Sequence, residues 1–242
     1  MANRLSFATD ASPIVMDGET AAHPDARLWI PLPDLDSIKA PSNYVKQEAI
    51  DGYIAREKAA KLAEHEQDVT NGAALDRYTG RIVALGYWTS DGGYVTLPCR
   101  DEVEEAAALA QWWEMSAHRT IVGFNCKGFD LPYLQTRSSL LRVPFPSLDL
   151  SRYPRGAAIT DLYQMLTNNE GKYDKGLMPR SLRAFAARYG LPLEDETHSG
   201  ADVPALVRAG DWDAVLGHLL ADLRLTVGLA KRLGLLWHEE QP

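Results

Sequence analysis

Apolar residues change rhythm along this chain. Leu5 to Phe7 reads as a short pairing strand, and Ile14-Val15-Met16 as a buried one. Residues 21–45, rich in Pro, Asp and Ser, read as an irregular excursion. From Lys46 to about Gln67 the spacing turns helical, with Ile50, Tyr53, Ile54 and Leu62 roughly on one face. Asn71-Gly72 marks the end of that region. Tyr78-Thr79-Gly80-Arg81 turns into a strand over Ile82 to Trp88. Asp91-Gly92-Gly93 then returns the chain through Tyr94 to Leu97, which predicts a hairpin.

Helical signals dominate the second half. Asp101 is placed to cap a helix running to about Met115, with glutamates in its first turn. Thr120 to Phe124 reads as a strand and about Phe129 to Leu141 as a helix. Ile159 to Leu162 starts another short element. Ser181 to Tyr189 and Asp202 to Ala209 are helices stopped by Gly190 and Gly210. Asp211 caps a long last helix, Trp212 to Leu233, closed by Gly234. Strands early and helices late predict a single α/β domain.

Composition narrows the class. The 242 residues are 45% hydrophobic and 24% charged, as in an ordinary globular chain. No run of about 18 apolar residues predicts a membrane span, and no basic start followed by an apolar stretch predicts a secretory signal. Two cysteines without CxxC spacing argue against a zinc cluster or disulfide scaffold and fit a reducing cytoplasm. The net charge of -8 argues against tight non-specific grip on long duplex DNA. It leaves room for a site that takes a few nucleotides at a strand end.

Acidic groups recur in three separated segments. Asp17 and Glu19 are two apart at a strand end, so an extended backbone points both to one side. Their repulsion is costly unless a cation lies between them. Asp130 follows Phe129 at a helix start, where a capping role is the simpler reading. His218 and Asp222 are four apart and share one helix face, beside the apolar stripe Val215, Leu219, Leu223 and Val227. A surface ion pair is the simpler reading of those two. Converged, the four carboxylates would make a hard oxygen site for two Mg²⁺ or Mn²⁺ ions, suited to phosphodiester cleavage.

Asp17-Gly18-Glu19-Thr20, Gly123-Phe124-Asn125 through Phe129-Asp130-Leu131-Pro132-Tyr133-Leu134, and Ser199 to Gly234 with His218-Leu219-Leu220-Ala221-Asp222 resemble three exonuclease motifs in order. The chain thus resembles the DnaQ-like (DEDD) 3′–5′ exonucleases of the ribonuclease H-like superfamily. It is similar to predicted exonucleases related to the proofreading domain of family B DNA polymerases, phage and prophage forms included. The resemblance implies a ribonuclease H-like mixed central sheet flanked by helices. It also implies one domain over residues 1–242 with an insertion at about 24–72. Asp17, Glu19, Asp130 and Asp222 would hold two ions, and His218 would orient or deprotonate the attacking water. A histidine's ordinary pKa of about 6.5 suits a base near neutral pH.

Thr20, Asn125, Phe129 and Leu131 are the candidate substrate contacts. Asn125 also reads as a turn residue, and Phe129 and Leu131 also read as core packing. Lys127, Lys172, Lys175, Arg180 and Arg183 are candidates for phosphate contact or for a solvated loop. Asp161 follows an apolar pair and reads as structural, with an approach to the site as the alternative. Two departures stand out. The family places tyrosine three intervening residues before its last Asp, or histidine four before it; here histidine has the tyrosine spacing. Gly18 stands where the family commonly has an apolar residue.

The implied activity is metal-dependent hydrolysis from the 3′ end of single-stranded DNA, or RNA, releasing nucleoside 5′-monophosphates. No membrane partner is implied. The rival is a catalytically weak or inactive nucleic-acid- or protein-binding module of a replication or repair complex. A metal phosphatase acting on small nucleotides is a third reading and requires a closed pocket.

Overall fold

A computed structural model describes residues 12–151, 158–168, 179–193 and 198–236. The strand expected at Leu5 to Phe7 lies outside these residues. Five strands form one sheet: β1 (Ile14–Ala22), β2 (Gly80–Thr89), β3 (Gly93–Pro98), β4 (Ile121–Gly123) and β5 (Ile159–Asp161). Their order across the sheet is β3-β2-β1-β4-β5. β1 pairs parallel with β4 through Ile14↔Ile121 and Val15↔Val122. β4 pairs parallel with β5, ending at Gly123↔Asp161. β2 and β3 are antiparallel from Ala84↔Pro98 to Thr89↔Gly93, the hairpin that the Asp91-Gly92-Gly93 turn predicts. The sheet is therefore mixed, as expected for this α/β fold.

The chain divides into two compact units, one of Met1–Glu19 with Ile82–Pro242 and one of Thr20–Arg81. In the first, the sheet buries both faces. Ile14, Met16 and Ile121 pack with Leu109, Trp112, Leu131 and Leu134 from α4 (Glu102–Ser116) and α5 (Asp130–Leu140). Val15 and Val122 point the other way and pack with Phe185, Leu223 and Val227. These come from α7 (Leu182–Arg188) and α9 (Trp212–Arg232). Burial on two faces explains why Ile14-Val15-Met16 is continuously apolar rather than alternating.

The helix ends follow local chemistry. Asp101 accepts from the Val103 and Glu104 amides and caps α4. Ser181 caps α7, and Asp211 caps α9 by accepting from the Ala214 amide. Between them, α6 (Leu162–Leu166) begins at Asp161, and α8 (Val203–Ala209) stops at Gly210, whose φ of 73° is the left-handed geometry glycine favours.

The second unit holds α1 (Ala26–Trp29), α2 (Gln47–Gln67) and α3 (Ala73–Leu75). The helix expected from Lys46 to about Gln67 is present as α2, and one expectation, its end at Asn71-Gly72, is corrected. The apolar face of α2 is only partly covered: Ile50, Tyr53 and Ile54 are half-buried and Leu62 is exposed. Asn71-Gly72 does not end the helix, because a π-helical turn over Asp68–Gly72 carries it into α3. Arg27 reaches from α1 to Glu66 on α2 at 2.6 Å. Among the described residues, no helix is long and apolar enough to cross a membrane.

Candidate active site

Register places the acids. The last β1 residue paired with β4 is Val15, opposite Val122. Beyond it, β1 carries Asp17 and Glu19 past the carboxyl ends of its parallel neighbours, where open α/β sheets form crevices. Gly18 donates its amide to Asp17 Oδ1 at 3.0 Å. β4 ends at Gly123, where a Cβ would lie 2.7 Å from Cys126 Cβ, so only glycine fits that approach. A tight turn follows. Asn125 takes φ of 57°, its carbonyl accepts from the Gly128 and Phe129 amides, and the Cys126 carbonyl accepts from Leu131.

This turn delivers Asp130 as the first residue of α5. Phe129, not Asp130, occupies the cap position, and no side chain caps the helix there. Asp130 is buried, with Oδ1 3.6 Å from where a Gly18 Cβ would stand. The simpler capping reading therefore gives way to an acid turned toward β1.

α9 supplies the remaining pair. Val215, Leu219, Leu223 and Val227 are all buried and anchor the helix. His218 and Asp222 lie at the edge of that stripe. The His218 Nε2 is 3.5 Å from Glu19 Oε1 and 4.0 Å from Asp222 Oδ2. The surface ion pair of the simpler reading is thus replaced by a buried histidine between acids of two elements.

The electrostatics tie the three segments together. Burial pushes the Asp17 carboxyl well above the usual range, and the charges of Asp130, Glu19 and Asp222 push it further. Burial raises Asp130 to about 7, with Asp161 adding to the rise against a lowering backbone hydrogen bond. All four predicted carboxylates therefore act on one locality.

The chain matches the RNase H superfamily model over residues 70–226. It belongs to the RNase H superfamily. The matched span contains Asp130, His218 and Asp222 and begins after Asp17 and Glu19. Among solved structures, this RNase H superfamily chain is similar to the family B DNA polymerase from the hyperthermophilic archaeon Pyrobaculum calidifontis. The TM-score is 0.58 and the identity 20%, over 94% of this chain. The chain spans 25% of that polymerase, so the likeness is one of fold. No curated protein matches the chain in sequence.

RNase H-like nucleases generally use divalent metals, and the acids suit such ions: hard carboxylate oxygens and few soft donors favour Mg²⁺ or Mn²⁺. Among the described residues, no three His, Cys, Asp or Glu side chains form a ready-made cage for one ion. The fit rests instead on the burden Asp17 carries from three neighbouring acids, which a cation would relieve.

The secondary candidates divide. Asn125 is exposed and serves the turn through its backbone. Phe129 is half-buried, its ring 5.5 Å from that of Tyr133. Thr20 is half-buried, next after Glu19 on β1. Leu131 is corrected: at 0% exposure it belongs to the core and presents nothing to a base. Lys127 is corrected too. It is buried, and its Nζ donates to the Ser151 carbonyl at 3.2 Å rather than facing a phosphate. Lys172 and Lys175 lie outside the described residues, while Arg180 and Arg183 are half-buried.

Sequence reasoning gave no weight to the pair formed by Glu105 and Arg137. Both are buried; Arg137 Nε meets Glu105 Oε1 at 2.7 Å and its Nη2 meets Oε2 at 2.8 Å. Glu105 Oε1 also accepts from the Ile82 amide, joining α4, α5 and β2. Glu105 follows two other acids in the first turns of α4, where helix-end charge is the ordinary reading. No local signal separates it from them.

Proposed function

We propose that this chain is a metal-dependent 3′–5′ exonuclease of the DEDD type. It hydrolyses phosphodiester bonds at the 3′ end of single-stranded DNA and releases nucleoside 5′-monophosphates. One observation carries the reading: Asp17 bears the combined charge of Asp130, Glu19 and Asp222, four acids from three distant segments. Membership of the RNase H superfamily and likeness in fold to a family B DNA polymerase support a nuclease in general, and the grouping of the four acids in motif order supports the finer class. Residues 1–242 are read as one exonuclease domain, with 24–72 as an insertion.

In this reading Asp17, Glu19, Asp130 and Asp222 hold two Mg²⁺ or Mn²⁺ ions. When bound, these supply Lewis-acid charge to the attacking and leaving oxygens. His218 Nε2 takes the proton from the attacking water, and Glu19, 3.5 Å away, stabilises the resulting imidazolium. Histidine at the tyrosine spacing serves because Nε2 already faces β1. Thr20, Asn125 and Phe129 meet the terminal nucleotide, and the Phe129 ring offers a stacking face that tolerates any base.

The deciding experiment digests a 5′-labelled single-stranded oligonucleotide with Mg²⁺, Mn²⁺ or EDTA, beside Asp130→Ala. The expected result is a metal-dependent ladder shortening from the 3′ end and absent in the variant. A folded protein that cleaves with neither metal would replace this reading with a binding module.

A further inference from the structure

Asp161 closes β5 opposite Gly123 and is 5% exposed. Its carboxylate is surrounded by backbone donors. Oδ1 accepts from the amides of Asn125 at 3.0 Å, Tyr163 at 3.0 Å and Gln164 at 3.2 Å. Oδ2 accepts from the Lys127 amide at 3.0 Å. Capping α6 requires only the Tyr163 and Gln164 bonds, which serine would also supply. The other two donors belong to a different element, the turn between β4 and α5.

That turn is the one that sets Asp130. Its left-handed Asn125 leaves the Asn125 and Lys127 amides pointing at β5 and the Asn125 and Cys126 carbonyls receiving the start of α5. A carboxylate suits this place because it only accepts. An amide would turn an NH₂ toward a backbone donor and leave that donor unsatisfied in a buried place.

We infer that Asp161 is a positioning residue: it holds the Asn125–Lys127 turn so that Asp130 meets Asp17, without itself touching metal or substrate. The inference rests on Asp130 being a metal ligand. Residues that orient ligands in this way typically alter metal affinity or activity by about 10–100-fold when changed.

The test titrates Mn²⁺ into EDTA-stripped protein without substrate, following free Mn²⁺ by its paramagnetic resonance signal. Wild type, Asp161→Asn, Asp161→Ser and Asp130→Asn are compared, with circular dichroism and melting curves for each. Asp161→Asn should melt cooperatively yet bind Mn²⁺ about 10–100-fold more weakly. On single-stranded DNA its kcat should fall by a similar factor, with KM within about twofold. Asp161→Ser keeps the α6 cap and should show the same weakening; it decides the matter where Asp161→Asn does not fold. A folded Asp161 variant that binds Mn²⁺ like wild type, while Asp130→Asn does not, overturns this inference alone. Failure of both Asp161 variants to fold overturns it as well, making Asp161 a determinant of the fold. Wild type that takes up no Mn²⁺ overturns the reading of the acids as ligands.

Discussion

A buried carboxyl titrating near 7 is a liability for folding that a bound cation removes. Asp130 sits at about 7 against an ordinary value of about 3.9, chiefly because burial disfavours its charge. The folded state therefore keeps a proton that the unfolded chain releases, and stability falls as pH rises between these values. In EDTA the protein should lose about 3 kcal/mol between pH 4 and pH 7 from this group. Denaturant titrations at pH 5, 6 and 7 should show that slope in wild type and a flatter one in Asp130→Asn. Saturating Mn²⁺ should weaken it, because ligands bind deprotonated. Equal slopes in both proteins with EDTA would remove Asp130 as its source. The candidate acids were legible as a set because motif order survives in a linear chain. Burial does not: core packing was open to Phe129 and Leu131 alike, nothing in Phe129-Asp130-Leu131 says that only Leu131 is fully buried, and nothing around Lys127 says that its ammonium meets a carbonyl.

Two contacts between elements hold the site in place. Gly86 on β2 faces Leu219 on α9, and a Cβ there would stand 3.2 Å from the leucine side chain. Leu219 adjoins His218, so pushing α9 away from the sheet also moves the histidine. Gly86→Val should destabilise the protein by about 1–3 kcal/mol through overpacking. It should lower kcat more than the melting shift accounts for; a variant with wild-type kcat would show α9 to be free of that contact. The Glu105–Arg137 pair joins α4, α5 and β2. Arg137→Met leaves Glu105 buried with its charge uncompensated and should cost about 3–5 kcal/mol by denaturant titration. A cost below about 1 kcal/mol would mean that water reaches the pair. Elements with local signatures were legible: the hairpin has its glycine turn, α4 and α9 have their capping aspartates, and α7 has the Gly190 that stops it. The π-helical turn at Asp68–Gly72 was not. Asn-Gly is a turn signal in its own right, and only bonding with the following turn carries the helix through it. Asp161 was half-legible: the sequence marks it as structural without showing its cap on α6, and its grip on the β4–α5 turn depends on parallel pairing across the sheet.

At the scale of the whole molecule, charge and fold pull the functional reading in different directions. The superfamily fold hosts many activities, so it does not by itself choose between an end-reading enzyme and one that cuts internally. The net charge of -8 does bear on the choice. Enzymes that track a long backbone neutralise many phosphates, and on single strands each neutralised phosphate contributes about -0.7 to the slope of log affinity against log salt. An acidic protein gripping only a strand end should neutralise about two or three, giving a slope of roughly -1 to -2. Measuring kcat/KM on linear single-stranded DNA between 50 and 300 mM salt (about the range where such slopes are read) tests this. A covalently closed single-stranded circle of the same sequence supplies the complement, because it offers identical phosphates without an end. On the proposed end-directed reading the circle should survive while the linear strand is shortened, and a blunt duplex should be cut more slowly than one with a frayed 3′ terminus, since terminal nucleotides would have to unpair to reach the acids. A circle nicked as fast as the linear strand would make the enzyme an endonuclease with the same carboxylates. A slope near -5 would mean a long phosphate-binding track that the overall charge conceals.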